Sequence, residues 1–244
     1  MNPVRTLATA GRVLRQLAHD PRSVALLLVA PSLLVGLFSW LLSDQDGAFD
    51  RFGGPILALF PFILMFIVTS VTTLRERRSG TLERLLTTPL GKGDFIVGYA
   101  LAFGLVAMAQ ALVTVWFAVV VCGLSVDGPV WQLGAVAVVD ALLGTGLGLL
   151  ASAFARTEFQ AVQFMPAVVF PQILLGGLLM PRDAMPEALE AISDWLPLSY
   201  AIDAVNAVTA GDAGWDLGRP LLVIGTVTVV ALGLAALTLR RRTP

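Results

Sequence analysis

The chain has 244 residues, 57% hydrophobic and only 14% charged, with a formal net charge of −1. That mix is far from a soluble domain's, and apolar runs of spanning length recur along it, so a polytopic all-α membrane protein is expected. The charges are sorted by side and form no patch for nucleic acid, and a single cysteine, Cys122, excludes an intrachain disulfide.

Residues 4–18 read as an interfacial helix. Val4, Leu7, Leu14, Leu17 and Ala18 line one side at helical spacing, with Arg5, Arg12, Arg15 and Gln16 on the rest, and Pro21 ends it. Met1 to Arg22 is too long and polar for the leading region of a signal peptide, and no small-residue cleavage site follows the next apolar run, so the first span is expected to be retained. His19, the only histidine, has no second metal-type residue nearby and reads as a solvated interface residue.

Six spans are expected at about 23–42, 55–74, 95–122, 131–153, 161–180 and 220–239, the third long enough to require tilt. Placing the termini in the cytoplasm puts thirteen of the sixteen Lys and Arg residues on the inner side, which the positive-inside rule favours. Trp40, Trp131, Trp195 and Trp215 then fall at the outer ends of spans.

The longest plainly basic inner loop is 75–94. Pro89 has no amide hydrogen and pushes Thr88 out of the helical region, so a helix begun near Gly80 ends by Thr87. Leu82, Leu85 and Leu86 form one apolar stripe, and Glu83 lies in the first turn, where the helix dipole favours an acid. Spacing alone favours an ordinary cytoplasmic loop, because short amphipathic turns are common.

On the outer side, 181–219 carries an apolar stripe of Met185, Ala188, Leu189, Ile192, Trp195 and Leu196, bounded by Pro186 and Pro197. A second short helix is expected from about Ser199 to Val208. Both are too short to span, so they lie on the surface or re-enter.

Asp140 is the one carboxylate near the middle of a span, and Asp140, Gly144, Gly148 and Ser152 recur every four residues, a spacing that lets another helix approach closely. Asp140 is either a structural hydrogen-bonded residue or part of a lining or proton-linked route. Gln110 and Gln172 are further candidates for route or packing; Gln163 and Gln172, nine apart, cannot share a face. Pro166 and Pro171 are expected to kink the fifth span. No phosphate-binding glycine loop, metal cluster or nucleophile with a base is present in the sequence; Gly144 to Leu149 lies inside a lipid-length run with no strand before it.

Glu76, Gly80-Thr81-Leu82-Glu83, Leu85, Thr88-Pro89 and Gly98 resemble the inner-loop signature of ABC-2-type transporter permeases, the membrane subunits of ATP-binding-cassette exporters, in the daunorubicin-resistance-like branch. Gly176-Gly177-Leu178-Leu179-Met180-Pro181, Met185-Pro186, Leu189, Ile192 and Leu196-Pro197-Leu198-Ser199-Tyr200 with Asp203 are similar to the outer segment of the same family. The resemblance implies a coupling helix in which Glu76, Gly80, Thr81, Leu82, Glu83, Leu85, Leu86 and Pro89 meet an ATPase subunit, with Arg12 and Arg15 as a second contact. It implies an outer gate built from Pro181, Met185, Pro186, Leu196, Pro197, Tyr200 and Asp203. Its expected partners are two ABC ATPase subunits, which hold ATP and Mg, a second permease copy or a related permease, and membrane lipid. This chain binds no cofactor of its own. The expected place is a bacterial plasma (inner) membrane and the expected cargo is amphipathic or lipophilic. The competing expectation is a proton- or ion-coupled transporter or channel using Asp140; a membrane-anchored scaffold or lipid enzyme lacks a catalytic constellation.

Overall fold

The computed structural model describes residues 2–78, 91–212 and 215–238, and no strand occurs among them. Asn2 starts the first helix, α1 (Pro3–Ala18): its side chain accepts from the amide of Val4, and Pro3 occupies the first turn. Then come α2 (Pro21–Leu41), α3 (Ala48–Arg78) and α4 (Lys92–Trp116), the last continued by a π turn, Phe117–Val121. Gly123, at φ 74°, turns the chain toward α5 (Val130–Phe154). α6 (Glu158–Leu175) is capped by Thr157, whose side chain accepts from the amide of Gln160. Two shorter helices follow, α7 (Glu187–Ser193) and α8 (Pro197–Thr209), and then α9 (Trp215–Thr238). The expected coupling helix, Gly80 to Thr87, lies outside the described residues, as does the basic tail from Arg240.

Among the described residues five helices are long and apolar enough to cross a membrane: Val24–Leu41 of α2, α3, Gly93–Val121 of α4 and its π turn, α5, and Leu217–Thr238 of α9. The expected fifth span differs. α6 carries Gln160, Gln163 and Gln172 with Pro166 and Pro171, and it stops at Leu175, because Gly176 and Gly177 (φ 92°) turn the chain before residue 180. α3 exceeds its expected bounds in the other direction. Its 31 residues are about 46 Å long, more than a hydrocarbon core of about 30 Å, so its last turns carry Glu76 beyond the apolar region.

α5 lies at the centre, against α3, α4, α8 and α9. Its small residues set the closest approach. A Cβ on Gly144 would lie 2.4 Å from the carbonyl oxygen of Phe62, and one on Gly148 would lie 2.5 Å from that of Phe66. The equal steps show α3 and α5 running parallel with backbones in contact, as the four-residue spacing leads one to expect. Phe62, Met65, Phe66, Leu133, Leu143 and Leu149 fill the resulting core. α2 and α9 are peripheral, and their exposed Leu26, Leu33, Leu222 and Val229 suit a lipid-facing surface.

Candidate functional site

Two polar clusters stand at opposite ends of the bundle. At one end α1 bonds to residues on either side of 79–90. Before it, the Arg12 guanidinium donates to Glu76 Oε1 and Oε2 at 3.2 and 3.1 Å and to the Tyr99 hydroxyl at 2.7 Å. Glu76 is buried, and a paired arrangement of this kind is what permits that. After it, Asp94 Oδ1 accepts from the amide of Asn2 at 2.8 Å and lies 3.3 Å from the Thr6 hydroxyl. Its other oxygen caps α4 through the amide of Gly91 at 3.1 Å. Between these two holds α1 crosses α4 so tightly that a Cβ on Gly98 would meet Thr9 Cβ at 2.7 Å and the Thr6 carbonyl at 2.9 Å.

The packed face of α1 is therefore Thr6, Thr9, Ala10 and Val13, while Val4 and Leu7 of the expected apolar stripe are turned out. Arg15 is exposed and Arg12 half-buried. Gly80, Thr81, Leu82, Glu83, Leu85, Leu86 and Pro89 lie outside the described residues.

In the core, Gln110 is buried and donates to the Leu27 carbonyl at 3.1 Å, holding α4 to α2. Gln172 is also buried. It donates to the Val168 carbonyl at 2.9 Å and accepts from the amide of Leu198 at 3.0 Å, which caps α8. Gln163 is exposed, on the opposite side of α6. Asp140 is fully buried, and neither carboxylate oxygen has a hydrogen-bond partner among the described residues. The three do not meet in one polar site.

At the other end the Arg182 guanidinium donates to both Asp194 and Asp203 and lies 5.3 Å from the centre of the Tyr200 ring. Tyr200 donates to the Asp194 carbonyl at 3.0 Å, and Ser193 to the Leu175 carbonyl at 2.6 Å. These bonds tie the loop after α6 to α7 and α8. They border a polar cavity of about 530 Å³ whose walls include Pro181, Arg182, Glu190, Asp203 and Arg219. Burial pushes the Asp203 carboxyl above its usual range, more than the neighbouring Arg182 holds it down. Met185 is buried, Leu196 and Pro197 half-buried, and Pro186 exposed at the start of α7. The α7 stripe faces outward, with Leu189, Ile192 and Trp195 exposed.

Sequence reasoning missed Tyr99, Asp94 and Arg182. Asp94 three residues after Gly91 was a readable helix-start signal. Nothing in the spacing of the other two marks their partners.

The sequence pattern of the ABC-2 type transporter family matches residues 5–209. Among curated proteins the chain is 30% identical over 191 residues to YbhR of Escherichia coli (strain K12), a probable multidrug ABC transporter permease, covering 77% of this chain and 51% of that one. It is 27% identical over 178 residues to YbhS of the same organism, also a probable multidrug ABC transporter permease, covering 72% and 47%. It is 26% identical over 163 residues to the linearmycin resistance permease protein LnrN of Bacillus subtilis (strain 168), covering 62% and 40%. The chain thus spans about half the length of the curated relatives it matches. With its bundle of apolar, membrane-length helices, the chain belongs to the ABC-2 type transporter family.

Proposed function

We propose that the chain is the permease subunit of an ATP-driven exporter for amphipathic or lipophilic compounds, working with a second permease copy or related chain and two ABC ATPase subunits that hold ATP and Mg. The names of the relatives, multidrug and resistance permeases, support the cargo class. Under this reading α6 is a sixth span, both termini are cytoplasmic, and 79–90 meets the ATPase.

The observation that carries it is the double hold of α1 on Glu76 and Asp94. A displacement of the segment between those residues must move α1, the end of α3 and the start of α4 together. That is how a push from a soluble motor reaches the spans, and alternating access then requires cargo affinity to differ between the two states. At the far end, the bonds of Arg182 to Asp194 and Asp203 close the outer segment.

The test is co-purification with the cognate ATPase and ATP-dependent efflux from proteoliposomes. Glu83→Arg or Leu85→Asp is expected to abolish both; association and efflux unchanged in both variants would refute the docking role of 79–90. The second reading, a proton- or ion-coupled carrier, is favoured by one observation, the unpartnered Asp140. It requires gradient-driven transport without any ATPase.

A further inference from the structure

An apolar groove of about 220 Å³ runs along the junction of α3, α5 and α6, lined by Phe66, Leu147, Ala151, Phe154, Phe164 and Val168. It has almost no polar wall, so in a bilayer its natural filling is hydrocarbon. The end of the same junction is basic. Arg75 donates to Glu158 at 3.1 and 3.0 Å, Arg78 bears on the same carboxylate, and exposed Arg156 follows Phe154 by two residues.

Arg77 supplies the second, independent observation. Its Nε and Nη2 are buried with no hydrogen-bond partner among the described residues. It stands eleven residues beyond Phe66, about three turns, so it leaves α3 on the groove side. Guanidinium nitrogens removed from water without an acceptor are costly, and an anion at that place lowers the cost. The axial offset of Arg77 from Phe66 is about 16 Å. That is about half a hydrocarbon core, the depth that separates a chain lying in the groove from its own phosphate.

We infer that this groove and its basic lip bind one anionic phospholipid of the inner leaflet, the acyl chain along Phe66, Leu147 and Phe154 and the phosphate at Arg77, Arg78 and Arg156. The inference rests on the membrane orientation given above but not on the ATPase partnership.

The experiment is native mass spectrometry of the full chain released from nanodiscs of equimolar phosphatidylglycerol and phosphatidylcholine. One phosphatidylglycerol is expected to remain bound. Leu147→Trp, which fills the groove, and Arg77→Gln, which strips the lip, should each lower its retention about tenfold. Leu222→Trp on the lipid-facing side of α9 should not, and thermal unfolding of each variant separates lost binding from lost folding. Inorganic phosphate should not displace the lipid. Displacement by phosphate, equal retention of phosphatidylcholine, or unchanged retention in both variants would overturn the inference, as would dissociation of self-associated chains by Leu147→Trp. Failure of the exporter reading would instead appear as lost ATPase association with lipid retention intact.

Discussion

Arg12 and Glu76, 64 positions apart in the chain, meet in two parallel guanidinium–carboxylate bonds, and the same guanidinium reaches the Tyr99 hydroxyl. The contact fastens α1 to α3 and α4 immediately before the segment proposed to meet the ATPase. Truncating one partner strands the other in a half-buried site. Arg12→Ala and Glu76→Gln are each expected to cost about 1.5–3 kcal/mol. The double variant should cost little more than either alone, with a coupling energy of about 1–3 kcal/mol in a double-mutant cycle followed by unfolding in detergent. ATP-dependent efflux should fall in the single variants. Additive losses would show that the two residues act separately.

Close helix crossings give a second prediction, because the clash is with backbone. Gly144→Val places a side chain against the Phe62 carbonyl, which cannot step aside without moving α3. A loss of about 3 kcal/mol or failure to fold is expected. Gly98→Val should instead loosen α1 from α4, lowering efflux more than global stability. Gly225→Ala, with nothing within 4 Å of its Cβ, is the control and should stabilise by about 0.5–1 kcal/mol through helix propensity. Equal midpoints for Gly144→Val and the control would mean that α3 and α5 are not in backbone contact.

Helix existence and the close approach of another helix to α5, though not which helix, were readable because both depend on local pattern: apolar length for the spans, and small residues every fourth position for Gly144 and Gly148. The length of α6 was not. Its end is set by Gly177 taking φ 92°, a backbone choice that the apolar run Leu178, Leu179, Met180 conceals. Nor was the face by which α1 packs on α4, because the apolar stripe with Val4 and Leu7 marks only the side that an interfacial helix gives to lipid. The tight crossing at Gly98 admits Thr6, Thr9 and Ala10, so shape outranks polarity there, and lipid takes the apolar face. The partners of Arg12, Gln172 and Arg182 are distant in sequence, and one chain carries no sign of which distant charges meet.

The Arg182 cluster should respond to pH with a definite sign. Asp203 binds its proton more tightly in the folded chain than an unfolded aspartate does, mainly because it is buried. Its contribution to stability is therefore fully present below the ordinary aspartate value of about 3.9 and lost as pH rises through the raised folded value. Relative to Asp203→Asn, the wild-type protein should lose thermal stability over that rise and then level off. Scanning calorimetry of both forms from acid to neutral pH checks this. A wild type that gains on the variant across the same window would mean that Arg182 dominates over burial.

Asp140 offers the sharpest separation of the two transport readings. Both oxygens are enclosed without partners among the described residues, an arrangement that costs about 1–3 kcal/mol for a buried polar group. If the residue serves only packing, Asp140→Leu, with the same branched outline and no polar atoms, should raise the unfolding midpoint, and Asp140→Asn should leave ATP-driven efflux near the wild-type rate. Stability gained together with efflux lost in Asp140→Leu would therefore mean that the carboxyl acquires a partner or a proton in another state of the cycle. Gradient-driven uptake that survives removal of the ATPase and vanishes in Asp140→Asn would go further and replace the exporter reading with the ion-coupled one.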